Sequence, residues 1–339
     1  MTTETEFSEA VSGLAPIALR TAATLRLADH IAAGHNTAAL LAKRIGADPD
    51  VLGRVLSFLT ARGVFSEPHT GAFALTSLSV TLLDGHPSQL RAWLDESGIG
   101  GRMDAAARAL TDAVCTGRSP YLHTHGNTFY RDLAAHPTGP DFNTLRQTHA
   151  ESFAKELADT FPWKHAQHVV DVGGGTGVFL EALMRRFPGL RTTLVDLPEA
   201  VGAATHRITA AGLAERFTAA PGDFFDPLQS GADVYTLVNV LHNWNDEQAA
   251  LILRRCAEAA AEHGTVVVVE RLTDSADQRV ITSMDLRMFL LLSGRERSLE
   301  QLRATAEAAG LIYGQRLTTA VGLDWVMFRA SGIEGVPAK

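Results

Sequence analysis

The sequence predicts a two-part α/β chain: a helical N-terminal half enclosing a winged-helix layout, then an open, mostly parallel sheet. Three observations predict it. At 339 residues the chain exceeds what one hydrophobic core usually organises, so more than one domain is expected. Residues 8–160 are rich in Ala and Leu with few β-branched runs, a helical pattern. From Val169 onward, short β-branched runs alternate with amphipathic stretches, the pattern of βαβ units.

In chain order, Asn36 or Thr37 caps a short helix that Gly46 stops. Asp48 caps a second helix with Pro49 at its first position, and Gly63 ends it. Phe65 to Leu75 turns around Pro68 and Gly71 as a hairpin. Helix, helix, hairpin is a layout used to bind DNA. Here the second helix balances Arg54 and Arg62 against Asp48 and Asp50, and Val51, Leu52, Val55, Leu56, Phe58 and Leu59 read as core. A winged helix reused for packing is the favoured reading. Strands are then predicted over His168–Val172, Arg191–Asp196, Arg216–Ala219, Val234–Val240 and Thr265–Glu270. The helices between them include Val178–Phe187, Glu199–Ala211 and Asp246–Glu262. The segment FPWKHAQ before Val169 holds a proline and polar residues and reads as the boundary. The expected division is 1–100 with the winged helix, 101–165 as a helical connector lining a substrate pocket, and 166–333 as the sheet domain.

Composition narrows the functional class. A net charge of -8 and a pI near 5.9 argue against a nucleic-acid binder, which normally carries a basic excess. Cys115 and Cys256 are too few and too far apart for a disulfide framework or a zinc site. The polar, acidic start MTTETEFSEA does not read as a signal peptide, and no apolar run is long enough to span a bilayer. The expectation is a soluble, cytoplasmic protein.

The stretch VVDVGGGTGVFLEAL carries the most information. A buried strand runs into Gly173, Gly174, Gly175 and Gly177, and a helix follows at once. Glycines allow a sharp turn and let backbone lie against a ligand where a Cβ would collide. A dinucleotide fingerprint places its third glycine where Val178 stands here, and the Lys-Ser/Thr end of a P-loop is missing. The loop therefore fits a nucleoside-type cofactor without a pyrophosphate. Asp196 ends the second strand, where a carboxylate can accept from both hydroxyls of a ribose; a helix cap beside Pro198 is the plainer alternative. In PGDFFDP after the third strand, Asp223 can accept from an adenine amino group while Phe224 covers the ring, or the pair is a turn with a core aromatic. Three such features at the carboxyl ends of successive strands mark where an open α/β sheet binds its ligand.

From Val169 to about Phe328 the chain resembles the small-molecule O-methyltransferases, which include plant caffeate-type and bacterial antibiotic-tailoring enzymes, through DVGGGTG, LVDLP, GDFF, VLHNWNDE and GRERS in family order. The N-terminal half is similar to that family's helical dimerisation domain with its embedded winged helix. The resemblance implies a Rossmann-like sheet that binds S-adenosylmethionine and a homodimer with interlocking N-terminal domains. It implies that Gly173 and Gly175 line the methionine part, Asp196 holds the ribose, and Asp223 with Phe224 meets the adenine.

The strand VYTLVNVLH is predicted to end at His242, at the ligand end of the sheet, with Asn245 and Gln248 offering a capping box for the next helix. Glu270 ends the neighbouring strand, and Glu296 comes from a later loop. A histidine can take the proton of a phenolic hydroxyl while a carboxylate on its other nitrogen fixes the tautomer, the part expected of Glu270. In the family the matching histidine is the base and both matching glutamates flank it. One departure stands out: the family usually has Asp directly after this histidine, and here it is Asn243. No paired aspartates of a magnesium-dependent enzyme are seen, so no metal is expected. His123 and His125 read as loop histidines. The apolar run MDLRMFLLL suits an acceptor with a flat apolar face, or a core helix. The expected acceptor is a small aromatic, polyketide-like metabolite. The rivals are a relative that uses the same pocket for hydroxylation, a type that usually lacks this histidine, and a winged-helix DNA-binding regulator.

Overall fold

The structure, a computed structural model, describes residues 11–135, 142–260, 264–274 and 277–330. Two compact units result: one is built from residues up to Arg108 with Tyr130–Thr148, the other from Ala109–Phe129 with His149 onward.

The first unit holds α1 (Leu14–Thr24), α2 (Leu27–Ala32), α3 (Ala38–Ile45), α4 (Pro49–Thr60), the hairpin β1 (Phe65–His69) and β2 (Ala72–Leu75), then α5 (Ser77–Val80), α6 (Leu90–Leu94) and α7 (Ile99–Ala107). Its winged helix forms for the local reasons the sequence offered. The Thr37 hydroxyl accepts from Leu40 N–H, Gly46 ends α3 at φ 72°, and the Asp48 carboxylate accepts from Asp50 and Val51 N–H. Phe73 N–H donates to Asn36 O at 2.7 Å and ties the wing to the first helix. On α4, Leu52, Leu56 and Leu59 recur at helical period and join Leu27, Leu41, Phe65 and Phe73 in the core. Val51, expected inside, is 59% exposed, because it precedes the buried stripe by one position.

The second unit contains α8 (Leu110–Thr116) and α9 (Tyr121–His125); α10 (Phe129–Ala135) and α11 (Phe142–Thr160) each belong partly to both units. A seven-stranded sheet follows: β3 (His168–Val172), β4 (Arg191–Asp196), β5 (Phe217–Pro221), β6 (Val234–Val238), β7 (Thr265–Glu270), β8 (Leu311–Thr318) and β9 (Asp324–Ala330). The helices α12 (Val178–Arg186), α13 (Pro198–Ala210), α14 (Asp246–Ala260), α15 (Gln278–Leu292) and α16 (Leu299–Ala308) connect them. The strand order is β5-β4-β3-β6-β7-β9-β8. The first five strands pair in parallel, and β9 inserts antiparallel between β7 and β8, with Glu270 opposite Asp324.

Side chains alternate across this sheet, so each strand feeds two cores. Val170, Tyr235, Val266 and Val268 pack with Ile252, Leu253 and Cys256 of α14 and Leu302 of α16. Val169, Val234, Val267 and Val269 pack with Phe179 and Leu183 of α12 and Ala204 of α13. Burial of Cys256 pushes its thiol up to about 12, so it is inert; Cys115 is exposed.

In the FPWKHAQ segment Pro162 follows the end of α11, and Trp163 is buried against Phe161, Phe179 and Trp325 in the second core. Two expectations change. The strand expected to reach Val240 stops at Val238, because Asn239 turns left-handed at φ 52° and the chain enters a 3₁₀ turn over Leu241–Asn243. The strand expected over Arg216–Ala219 lies at Phe217–Pro221. The last residues of the helix expected over Asp246–Glu262 fall outside the described residues, as does the end of the expected sheet domain.

Candidate active site

The glycine loop closes onto β3 and β4. Gly173 takes φ 75°, and its N–H donates to Val195 O at 2.7 Å. A Cβ there would lie 2.9 Å from Val240 and 3.4 Å from the Phe224 ring, so backbone passes where a side chain has no room. At Gly174 a Cβ would lie 2.2 Å from Asp171 Oδ2. Asp196 ends β4, as read, and its carboxylate is held from two sides: Oδ2 accepts from Gly175 N–H at 2.8 Å and Oδ1 from Leu197 N–H at 2.7 Å. Asp223 is exposed and accepts from Phe225 N–H at 3.0 Å, which makes the turn. Phe224 is half-buried and, with Phe225, meets the Trp244 ring edge-on. Gly173, Gly175, Asp196 and Phe224 are thus brought around one loop, with Asp223 next to Phe224.

Asp171 belongs to this group and was not singled out from the sequence, although a carboxylate inside the apolar run VVDV was a signal. It is fully buried; Oδ1 accepts from Thr236 at 2.7 Å and Oδ2 has no hydrogen-bond partner. Burial, opposed by the Thr236 hydrogen bond and aided by the nearby Asp196, pushes its carboxyl from 3.8 up to about 7. A raised folded-state value means that the folded chain keeps a proton the unfolded chain has released. Its contribution is therefore whole below 3.8 and is lost as pH rises to about 7. Asp171→Asn keeps an acceptor for Thr236 and should flatten that fall. Thermal melts of both proteins from acid to neutral pH check this, and a wild-type-minus-variant difference independent of pH would overturn it.

His242 lies on the 3₁₀ turn beyond β6, not on the strand itself. Its Nδ1 is 2.9 Å from Glu296 Oε1, and its backbone N–H donates to Glu270 Oε1 at 2.9 Å. The expected ring partner was Glu270; the structure gives that place to Glu296, because the left-handed step at Asn239 turns the His242 peptide, not its ring, toward β7. As the carboxylate accepts, the ring nitrogen facing it carries the proton. Both glutamates are buried, and the second oxygen of each has no hydrogen-bond partner. Burial raises the Glu270 carboxyl above its ordinary value, with Glu296 adding to the rise and His242 and Arg297 opposing it. The Asn245 side chain accepts from Gln248 N–H at 2.9 Å and caps α14.

These groups share one end of the sheet: Val240, two residues before His242, is also the neighbour that crowds Gly173. His123 and His125 sit on α9 rather than in a loop, with the His125 ring 4.5 Å from Tyr121. Ser119 donates to Leu290 O at 2.8 Å, beside the apolar run of α15, of which Met288, Leu290 and Leu291 are buried. Among the described residues no group of three or more His, Cys, Asp or Glu is placed to hold a metal, and no helix is long and apolar enough to cross a membrane.

Comparison with known proteins identifies the family. An O-methyltransferase domain model matches residues 107–312, and an O-methyltransferase dimerisation domain model matches residues 9–85. The chain is 43% identical over 297 residues to 2,7-dihydroxy-5-methyl-1-naphthoate 7-O-methyltransferase of Streptomyces carzinostaticus, covering 87% of this chain and 89% of the relative. It is 41% identical over 334 residues to aclacinomycin 10-hydroxylase RdmB of Streptomyces purpurascens, covering 95% and 89%. The crystal structure of an O-methyltransferase from neocarzinostatin biosynthesis, in complex with S-adenosylmethionine and 2-hydroxy-5-methyl naphthoic acid, superimposes with a TM-score of 0.86 at 40% identity, covering 93% of this chain and 96% of that one. With both domain models matched and relatives above 40% identity over most of its length, the chain belongs to the S-adenosylmethionine-dependent small-molecule O-methyltransferases.

Proposed function

We propose that the chain moves a methyl group from S-adenosylmethionine to a hydroxyl of a small aromatic acceptor, with His242 as the general base. The single observation that supports this most is the His242–Glu296 pair, set at the same sheet end as the glycine loop. The residues fit the donor. Gly173 and Gly175 offer bare backbone, Asp196 offers an oriented carboxylate for a ribose, and Asp223 with Phe224 and Trp244 offers an acceptor and aromatic edges for an adenine. When bound, the donor would supply an electrophilic methyl on a positively charged sulfur, the methyl–sulfur bond breaking with its electron pair left on the sulfur as a neutral thioether. The chain's part is to align the acceptor hydroxyl with that methyl and to remove its proton. The O–H proton goes to His242 Nε2 as the new carbon–oxygen bond forms, and passes from there to solvent. Positioning alone can be worth effective molarities of 10⁵–10⁸ M, and a placed base a further 10²–10⁴-fold. Both are needed for a neutral phenol, whose oxygen is a poor nucleophile until the proton leaves.

The naphthoate methyltransferase relative and the complex with a hydroxynaphthoic acid support a fused aromatic acceptor of the kind used in bacterial antibiotic biosynthesis. The dimerisation module supports a homodimer. The free thiols and the net charge of -8 fit a reducing, aqueous compartment, the cytoplasm. Neither a nucleic-acid nor a membrane partner enters this reading.

One relative named as a hydroxylase covers most of the chain, and it favours a second reading, insertion of one oxygen atom of O₂ with two electrons from an external reductant. A mass-resolved screen of phenols, hydroxynaphthoates and hydroxyquinones with S-adenosylmethionine, in air and with a thiol reductant present, separates the two. The expected product is heavier than its acceptor by one CH₂. A gain of one oxygen, with no methylated product, would replace methyl transfer by hydroxylation.

A further inference from the structure

We propose that the loop Gly294–Arg297 is a positioning device for His242, and that Arg297 is the residue that holds the catalytic turn. The proposal rests on the reading of His242 as the base. Arg297 is 1% exposed, and its guanidinium is shared between that turn and the Asp246 carboxylate. Nη1 donates to Leu241 O at 2.9 Å and Nη2 to Trp244 O at 2.8 Å, the residues on either side of the His242–Asn243 pair. Nε donates to Asp246 Oδ1 at 3.0 Å, at the start of α14. The planar fork thus spans the turn from outside, a task a lysine ammonium cannot repeat. Gly294 closes the other side: a Cβ there would lie 2.2 Å from His242 O and 2.7 Å from Asn243 C, so only glycine lets the loop lie this close. Between these two residues Glu296 holds the ring at Nδ1, and its own N–H donates to Asp285 Oδ1 at 2.7 Å, which fastens the loop to α15. Backbone and ring of His242 are therefore gripped by one four-residue segment. Arg297 is a positioning residue: it holds the residues that flank the base, Leu241 and Trp244.

The test uses Arg297→Lys, Gly294→Ala, His242→Ala and the two double variants with His242→Ala, all as full-length enzyme. Arg297→Lys and Gly294→Ala should each lower kcat roughly tenfold or more, since displacements near 1 Å cost up to about 10² in rate. Affinity for S-adenosylmethionine should stay within about twofold. In the His242→Ala background neither change should lower kcat further, because the group they position is gone. Losses that multiply with that of His242→Ala would mean that Arg297 and Gly294 act elsewhere, and would overturn the proposal. So would a wild-type kcat in either single variant while His242→Ala is slow. If Arg297→Lys does not fold, Gly294→Ala, which leaves every charge in place, decides the same question alone. A wild-type rate in His242→Ala removes the base itself, a failure recognisable apart from the others.

Discussion

Replacing His242 by alanine should lower kcat on a neutral phenol by roughly 10²–10⁴, the usual contribution of a placed base. Affinity for S-adenosylmethionine should hardly move, because the imidazole is held by Glu296 while the glycine loop is steadied separately by Asp196. The partner glutamates separate by role. Glu296→Gln replaces the charged acceptor at Nδ1 and weakens the preference for the productive tautomer, so a substantial part of the His242→Ala loss is expected. Glu270→Gln removes a charged acceptor from a backbone N–H only, and a smaller loss is expected. Acceptors already ionised at neutral pH should feel all three changes less. Wild-type turnover of a neutral phenol by the alanine variant, measured under single-turnover conditions, would leave positioning as the whole of catalysis and return His242 to a structural part.

Asp196→Ala should weaken S-adenosylmethionine binding by about 10-fold to 100-fold or more, since a hydrogen bond to a charged group is worth about 1.5–3 kcal/mol and a ribose offers two. A second cost adds to this. The carboxylate already accepts from Gly175 and Leu197 N–H, so its removal also releases the glycine loop it steadies. Asp196→Asn keeps one oxygen and should fall between. Titration calorimetry on folded variants measures the effect directly, and unchanged affinity in Asp196→Ala would withdraw the ribose assignment.

Much of this was legible before any coordinates. The strands His168–Val172, Arg191–Asp196 and Thr265–Glu270 run as expected because β-branched residues fill them and Gly, Pro or charged residues bound them. The winged helix was legible because Thr37, Gly46, Asp48 and Pro49 each have a local reason for their place. What stayed hidden depends on distant residues. β8 and β9 were not read: Gly314 interrupts LIYGQRLT, and the strands pair with each other and with β7 rather than following a βαβ period. Asn239 ends β6 early by a left-handed turn that no apolar pattern announces. At the site, the residue types were legible and the pairings were not. Which glutamate faces the imidazole ring, and that Arg297 closes on Leu241 and Trp244, follow from where two remote loops meet.

The position of β9 has a consequence for biosynthesis. During synthesis β7, a run of four valines ending in Glu270, emerges while its outer neighbour does not yet exist; α15, α16 and β8 must be made first. For that interval β7 is a bare, apolar sheet margin whose row of N–H and C=O groups is open to any extended chain, the condition that favours aggregation. Helices α14 and α16 cover one face of the nascent sheet but do nothing for its rim. Arrival of β9 seals the rim and, in the same late event, places Asp324 opposite Glu270.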